Sequence, residues 1–121
     1  MTCTPDIEIY LKTKDLQVIT QCLEQIFSQA ITFNSEPPFQ ACLINDIPIK
    51  VYLKVKSGFS SIWFDSSHTP WENDLHCAQE FQKITGLICR CIKSSWAENE
   101  TEDPDLWLEV NNQGQKELIW K

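Results

Sequence analysis

Glycine is scarce in this chain, with three residues among 121. We predict that Gly58 and Gly114 lie in turns and that Gly86 ends a helix, so no glycine remains for a phosphate-binding loop. The serines near His68 also lack the flanking glycines of a nucleophile elbow. The composition therefore gives no support to nucleotide binding or to a serine hydrolase.

The sequence also lacks a long hydrophobic run and a recognisable leader. No apolar stretch approaches the roughly 20 residues that cross a bilayer. The opening residues, MTCTPDIEIY, contain neither a basic region nor an apolar segment. A length of 121 residues is ordinary for one domain. We therefore expect a single cytoplasmic domain over residues 1–121 with no membrane partner.

Basic residues are few, because 10 Lys and Arg stand against 17 Asp and Glu and give a formal net charge of −7. Proteins bind nucleic acid largely by neutralising phosphates with Lys and Arg, so we expect no nucleic-acid partner. The acids are concentrated between residues 94 and 109, in SSWAENETEDPDLWLE, where no basic residue occurs. Six carboxylates lie there: Glu98, Glu100, Glu102, Asp103, Asp105 and Glu109.

Histidine is also scarce, with two residues, whereas the chain has six cysteines. Without an export signal we expect a reducing compartment and free thiols. Cys89 and Cys91 are two residues apart on a predicted strand, so both point to one face and fill the core as small hydrophobic residues. His76 and Cys77 do not complete the ligand spacing of a zinc site. We predict no metal and no cofactor.

Two periodicities predict a mixed α and β fold. IEIYL alternates as a half-buried strand does, whereas residues 14–30 repeat apolar positions at helical spacing after Thr13, the expected N-cap. NSEPPF is predicted to be a loop, because two successive prolines cannot sit in a central strand. Six further strands are predicted in ACLI, PIKVYLKV, FSSIWFD, LICRCI, LWLEV and QKELIWK.

The strongest local signal is a helix start in HTPWENDL. Thr69 is the predicted N-cap, Pro70 the first helical residue and Glu72 the closing residue of a capping box, and the helix is predicted to end at Gly86. The element order is then β-α-βββ-α-βββ. Because each helix has one apolar side, we predict an α+β two-layer sandwich, with two helices packed on one face of a mostly antiparallel sheet, ferredoxin-like or related.

The acidic stretch 96–109 has three interpretations. As a calcium loop it lacks the glycine of the EF-hand pattern, and as a solvated loop it would need no partner. Tryptophans are enriched at interface hot spots, however, and carboxylates steer basic partners. The leading hypothesis is a small regulatory or inhibitory (immunity-like) protein-binding module that docks on a basic protein surface through Trp96, Glu98, Glu100, Glu102, Asp103, Asp105 and Trp107.

A small-molecule-binding domain or enzyme is the first alternative, with a pocket near His68, Trp71 and Asp74. Asp74 falls near the middle of the apolar side of its helix, and carboxylates in such positions collect at functional sites. An overhang of the first helical turn beyond the sheet edge explains the same position, and we favour it. Since no motif is specific for a reaction, the sequence favours a non-enzymatic function.

A structural homodimer is the second alternative. The outer face of the predicted strand at 49–56 carries three lysines around Tyr52: Lys50, Lys54 and Lys56. This basic patch is complementary to the acidic stretch, either within one chain or across two copies.

Overall fold

A computed structural model of the chain describes residues 6–66, 68–92 and 106–120. Within these ranges the chain forms two helices and one antiparallel sheet of eight strands, in the order β2-β3-β4-β5-β1-β6-β7-β8. The elements are β1 Ile7–Leu11, α1 Leu16–Phe27, β2 Asn34–Glu36, β3 Phe39–Ile44, β4 Ile47–Lys56, β5 Phe59–Phe64, α2 Asp74–Thr85, β6 Cys89–Ile92, β7 Leu106–Asn111 and β8 Gly114–Ile119. The predicted α+β class is confirmed.

The sheet is larger than predicted, because NSEPPF is not entirely loop. Its first three residues, Asn34–Glu36, pair with β3 as β2, the outermost strand on that side of the sheet. The strand ends immediately before Pro37, since proline has no backbone N–H to donate to a ladder. All three residues are exposed, as is usual for a short edge strand.

One face of the sheet, the core face, supplies the hydrophobic core. In β1, Ile7, Ile9 and Leu11 have no exposed surface, whereas Glu8 is exposed and Tyr10 is half-buried. The core cluster joins this face to buried residues of both helices, among them Ile19, Leu23, Ala78 and Phe81. Helix α2 lies against β1, β6 and β7 and also contacts α1.

Both helices begin later than predicted. Helix α1 is capped by Asp15, whose Oδ1 accepts a hydrogen bond of 2.9 Å from the backbone N–H of Gln17. Thr13, the predicted cap, instead accepts through its hydroxyl from the backbone N–H of Asp15, at 3.1 Å. The predicted cap, Thr13, therefore lies two residues before the observed cap, Asp15.

Helix α2 is capped by Asn73, whose Oδ1 accepts from the backbone N–H of His76 at 2.9 Å. The hydroxyl of Thr69 donates to the carbonyl of Trp71 at 3.3 Å, so Thr69 does not cap the helix. The turn at 69–73 carries Trp71 into the core, and this burial displaces the helix start. The predicted end at Gly86 is confirmed, because its φ of 73° is the left-handed conformation that glycine adopts readily.

Neither helix of the described residues combines the length and the apolar composition needed to cross a membrane.

Candidate functional site

The sheet face opposite the core is rich in aromatic side chains, and we call it the aromatic face. Strand register places Tyr10, Trp63 and Trp107 on this side, away from the buried isoleucines. Its rings are those of Tyr10, Phe39, Tyr52, Phe59, Trp63, Trp107 and Trp120. The core cluster contains none of them, so this face forms a second apolar layer within the described residues.

Trp120 connects the rings of one half of the aromatic face. It follows the last residue of β8, and its ring centroid lies 4.8 Å from Trp107, 5.0 Å from Phe59 and 5.5 Å from Tyr10. The contacts with Trp107 and Tyr10 are edge-to-face, the arrangement that the ring quadrupoles favour. With 9% of its surface exposed, Trp120 is buried although it lies next to the last residue of the chain.

Arg90 is held between two of these rings. Its guanidinium carbon lies 4.7 Å from the centroid of Phe59 and 4.6 Å from that of Trp120. The same guanidinium forms an ion pair with Oε1 of Glu109, through Nε at 2.9 Å and Nη2 at 2.8 Å. Strand pairing sets this contact directly, since Arg90 and Glu109 are opposite each other in β6 and β7.

The carboxylate of Glu109 has partners on both oxygens. Oε2 accepts from Nδ2 of Asn111 at 3.1 Å and lies 3.6 Å from Nζ of Lys116. Burial alone raises the pKa of Glu109, but the hydrogen bonds from Asn111 and Arg90 and the charges of Arg90 and Lys116 more than offset it, so the pKa is lowered from its ordinary value of 4.5. Glu109 is therefore an internal counterion.

The other half of the aromatic face is centred on Lys50. Its Nζ lies 5.2 Å from the ring centroid of Phe39 and 5.0 Å from that of Trp63. Tyr52 packs on Phe39 at 5.4 Å. Trp63 is fixed in turn because its indole N–H donates to the carboxylate of Asp6. Cations over aromatic rings thus recur across the whole face.

Lys56 also belongs to this face, with its Nζ 4.7 Å from the ring centroid of Trp120. Lys54 lies in an irregularity of the β4 and β5 pairing, between Tyr52 and Lys56, and has a φ of 55°. Two of the three predicted patch lysines, Lys50 and Lys56, are therefore placed together with aromatic rings.

Cations outnumber acids on the aromatic face, although the whole chain has a net charge of −7. Among the described residues the cationic side chains are Lys12, Lys50, Lys56, Arg90 and Lys116. The acidic side chains are Asp6, Glu8, Glu36 and Glu109. The molecule therefore has a cationic surface that its overall composition conceals.

Most of the predicted acidic site lies outside the described residues: Trp96, Glu98, Glu100, Glu102, Asp103 and Asp105. Trp107 is described and is half-buried on the aromatic face, 5.1 Å from Tyr10. It pairs with Ile92, so residues 93–105 leave and rejoin the sheet at adjacent strands. Of the described residues that flank 93–105, Trp107 belongs to the aromatic face and Ile92 is its partner in the neighbouring strand.

His68, Trp71 and Asp74 do not line one pocket. Trp71 is 6% exposed within the core, and its indole N–H donates to Oε1 of Glu80 at 2.7 Å. His68 is exposed and lines a shallow groove of about 460 Å³ together with Phe27 and Glu80, a groove that neither Trp71 nor Asp74 lines.

Asp74 is buried at 4% exposure, so the overhang that we predicted for the first turn of its helix is wrong. Its carboxylate contributes to raising the pKa of the Cys77 and Cys91 thiols, for which burial is the larger cause. Asp74 therefore faces the core cysteines, whereas His68 faces the groove.

The cysteines resolved in the described residues, Cys22, Cys42, Cys77, Cys89 and Cys91, are free thiols. Burial raises the pKa of Cys91 to about 12 and that of Cys77 and Cys89 well above the ordinary value. Because the thiolate is the reactive form, these cysteines are poor nucleophiles. Within residues 6–66, 68–92 and 106–120, no three His, Cys, Asp or Glu side chains are arranged to hold a metal ion.

Several residues of the aromatic face were not recognised as site residues, and four of them surround the guanidinium at its centre or supply it: Tyr10, Phe59, Arg90 and Trp120. Tyr10 stands at an outward position of a clearly alternating strand, which is a detectable signal. The clustering of the four depends on strand order, which alternation within single strands does not reveal.

Comparisons with protein-family models, with curated proteins and with solved structures find no match to this chain.

Proposed function

We propose that this chain is a non-catalytic protein-binding module, regulatory or inhibitory in the manner of an immunity protein, that docks on a basic protein surface through the acidic stretch 96–109. The observation that carries the proposal is the pairing of Ile92 with Trp107. Since β6 and β7 are neighbours, both ends of residues 93–105 are fixed to one rigid sheet.

Trp107 supports the proposal as an anchor. It is half-buried and packs on Tyr10 and Trp120, so its indole is held in place while part of it remains accessible. Rigid, partly exposed tryptophans beside charged residues are frequent among interface hot spots. A partner that contacts the acidic stretch would meet this preorganised ring at its end.

The charge of the stretch suits a basic partner. Glu109 is neutralised internally by Arg90, and the stretch contains five further carboxylates: Glu98, Glu100, Glu102, Asp103 and Asp105. Clustered charge of one sign raises the association rate with an oppositely charged surface. Small acidic inhibitors of basic enzymes benefit from this effect.

A small-molecule-binding function or an enzymatic one is the second candidate, and the groove beside His68 favours it. This groove combines an imidazole, the Glu80 carboxylate and the Phe27 ring, which together suit a small polar ligand with an apolar part. Trp71 and Asp74 would act only indirectly, because the groove does not include them.

We also propose a ferredoxin-like arrangement for the centre of the fold and a cytoplasmic location. The central order β4-β5-β1-β6, with a helix after β1 and another after β5, supports the first. The free thiols of the described cysteines support the second, because thiols stay reduced in the cytoplasm.

The proposal predicts that neutralising the acidic stretch abolishes capture of a basic partner. We expect immobilised wild-type protein to retain a protein of high isoelectric point from the extract of its source cells. The triple variant Glu98→Gln, Glu100→Gln and Glu102→Gln should retain at least about tenfold less of it, since the lost charges act on both steering and affinity.

The matched control removes the same charge elsewhere, in the variant Glu36→Gln, Asp46→Asn and Glu72→Gln. All three side chains are exposed and none belongs to the stretch 94–109. Equal retention by wild type and control, with loss only in the stretch variant, supports the proposal. If the stretch variant retains every partner at wild-type levels, the proposal is wrong.

A further inference from the structure

We propose that the aromatic face binds the acidic stretch of a second copy of this chain, so that two copies form a reciprocal dimer. This inference goes beyond the proposed function, since it assigns a role to the aromatic face and makes a second copy, rather than a foreign basic protein, the partner of the acidic stretch. It rests on three observations about the aromatic face: the state of its acids, the positions of its lysines and the place where the acidic stretch joins it.

Three of the four described acids of the aromatic face have partners, and the fourth, Glu36, lies on the exposed edge strand β2. Glu8 accepts from the hydroxyl of Ser61 at 2.7 Å, Asp6 accepts from the indole N–H of Trp63, and Glu109 is paired with Arg90. These contacts leave Glu36 as the one described acid of the face without such a partner, so the lysines outnumber the acids that remain available to a partner.

Lys50 and Lys56 present their ammonium groups above aromatic rings rather than to carboxylates. Within the described part of the chain, no carboxylate oxygen lies within 4.0 Å of either Nζ. An ammonium group has three N–H donors, and a ring beneath it leaves donors free. A carboxylate from a partner would therefore complete a stack of ring, cation and anion at each lysine.

This geometry favours an acidic peptide over single-stranded nucleic acid. Bases bind such surfaces by stacking on free ring faces. Here Lys50 lies over Trp63, and Arg90 and Lys56 lie over Trp120, so bases would first have to displace the cations. The net charge of −7 adds a general repulsion of phosphates.

The chain itself contains the complementary ligand. Residues 94–105 hold five carboxylates, no basic residue and Trp96. The described residues on either side of them, Ile92 and Trp107, pair with each other, and Trp107 belongs to the aromatic face. In a dimer with twofold symmetry, the acidic stretch of each copy would contact the lysines of the other copy. The same contact would therefore occur twice in the dimer.

The test is light scattering of the purified protein at about 0.05 M and about 0.5 M salt, a range that screens surface charge. We expect a dimer at low salt, and we expect the dissociation constant of the dimer to be at least about tenfold higher at high salt. The face variant Lys50→Glu and Lys56→Glu should be monomeric, as should the stretch variant Glu98→Lys, Glu100→Lys and Glu102→Lys. An equimolar mixture of the two variants should restore a dimer, because the reversed charges are complementary.

The control variant Lys83→Glu reverses an exposed lysine of α2, which packs on the core side of the sheet, and should dimerise like wild type. Circular dichroism verifies folding, and Lys50→Gln with Lys56→Gln replaces the face variant if the latter does not fold. A wild-type protein that is monomeric at both salts, a mixture that stays monomeric, or a face variant that still dimerises would overturn the inference.

Binding of a fluorescent oligothymidylate that the face variant abolishes would also overturn the inference, in favour of a nucleic-acid surface. The proposed function is tested separately. Dimerisation is measured on the purified protein alone, so failure to capture a basic partner does not change the light-scattering result.

Discussion

Replacing Trp120 with alanine is expected to destabilise the protein by about 3 kcal/mol or more, the range of large-to-small changes at buried aromatic positions. The ring is 9% exposed and contacts Tyr10, Phe59 and Trp107. Its loss also removes the ring that covers the guanidinium of Arg90. The measurement is urea denaturation followed by circular dichroism. The free energies of unfolding of wild type and variant are compared on condition that both have the same m-value, the slope of this free energy against urea concentration.

The adjacent residue provides the control for this prediction. Ile119 is a large apolar side chain one position earlier, but it is 51% exposed. We expect Ile119→Ala to change the free energy of unfolding by about 0.5 kcal/mol, as surface substitutions usually do. Similar effects of the two substitutions would mean that Trp120 is not packed against the aromatic face.

Replacing Glu109 with leucine is expected to cost about 3 kcal/mol, because breaking a buried ion pair leaves the other charge without its partner. The side chains of Arg90 and Glu109 are 18% and 7% exposed. The double variant Arg90→Met and Glu109→Leu should be more stable than Glu109→Leu alone, since methionine keeps an apolar stem between Phe59 and Trp120 without the unpaired charge. A double variant as unstable as the sum of the two single variants would contradict this coupling.

The lowered pKa of Glu109 predicts that the stability of the folded protein decreases at acidic pH. The pKa of Glu109 in the folded protein lies below its ordinary value of 4.5, so the ionised form stabilises the folded state above that value. This contribution is lost as the pH falls through the lowered pKa. The stability difference between wild type and Glu109→Gln should therefore be larger at about pH 7 than at about pH 3. A difference that is the same at both pH values would contradict the lowered pKa.

Much of the fold was predictable because it depends on local periodicity. The alternation of Ile7, Ile9 and Leu11 identified both the strand and its buried side. The same pattern in β4 placed Lys50 and Tyr52 together on the opposite side. The end of α2 at Gly86 was equally clear, because glycine adopts the left-handed conformation with little strain.

The helix starts were harder to predict, because capping residues compete. Thr69 with Glu72 matches a capping box, yet Asn73 caps α2. The difference arises from a tertiary contact, since the buried ring of Trp71 packs on Phe64, with centroids 4.9 Å apart. Local capping signals cannot report such a contact.

The aromatic face was hidden because its members come from distant parts of the sequence. Arg90 and Glu109 meet only when β6 pairs with β7, and Tyr10 joins them because β1 lies next to β6. Trp120 follows the last residue of β8, so the alternation of side chains along that strand does not predict on which side of the sheet its ring lies. The sequence therefore revealed the acidic stretch and the lysines of β4, but not the rings and the arginine that join these lysines in one surface.

The most direct test of the central proposal is the association rate with a captured basic partner, measured by surface plasmon resonance at about 0.05 M and about 0.5 M salt. If the acidic stretch docks on that partner, the rate should fall at least about tenfold at the higher salt. The variant Glu98→Gln, Glu100→Gln and Glu102→Gln should lose most of this dependence. An association rate that is independent of salt, and equal in wild type and variant, would contradict the proposal.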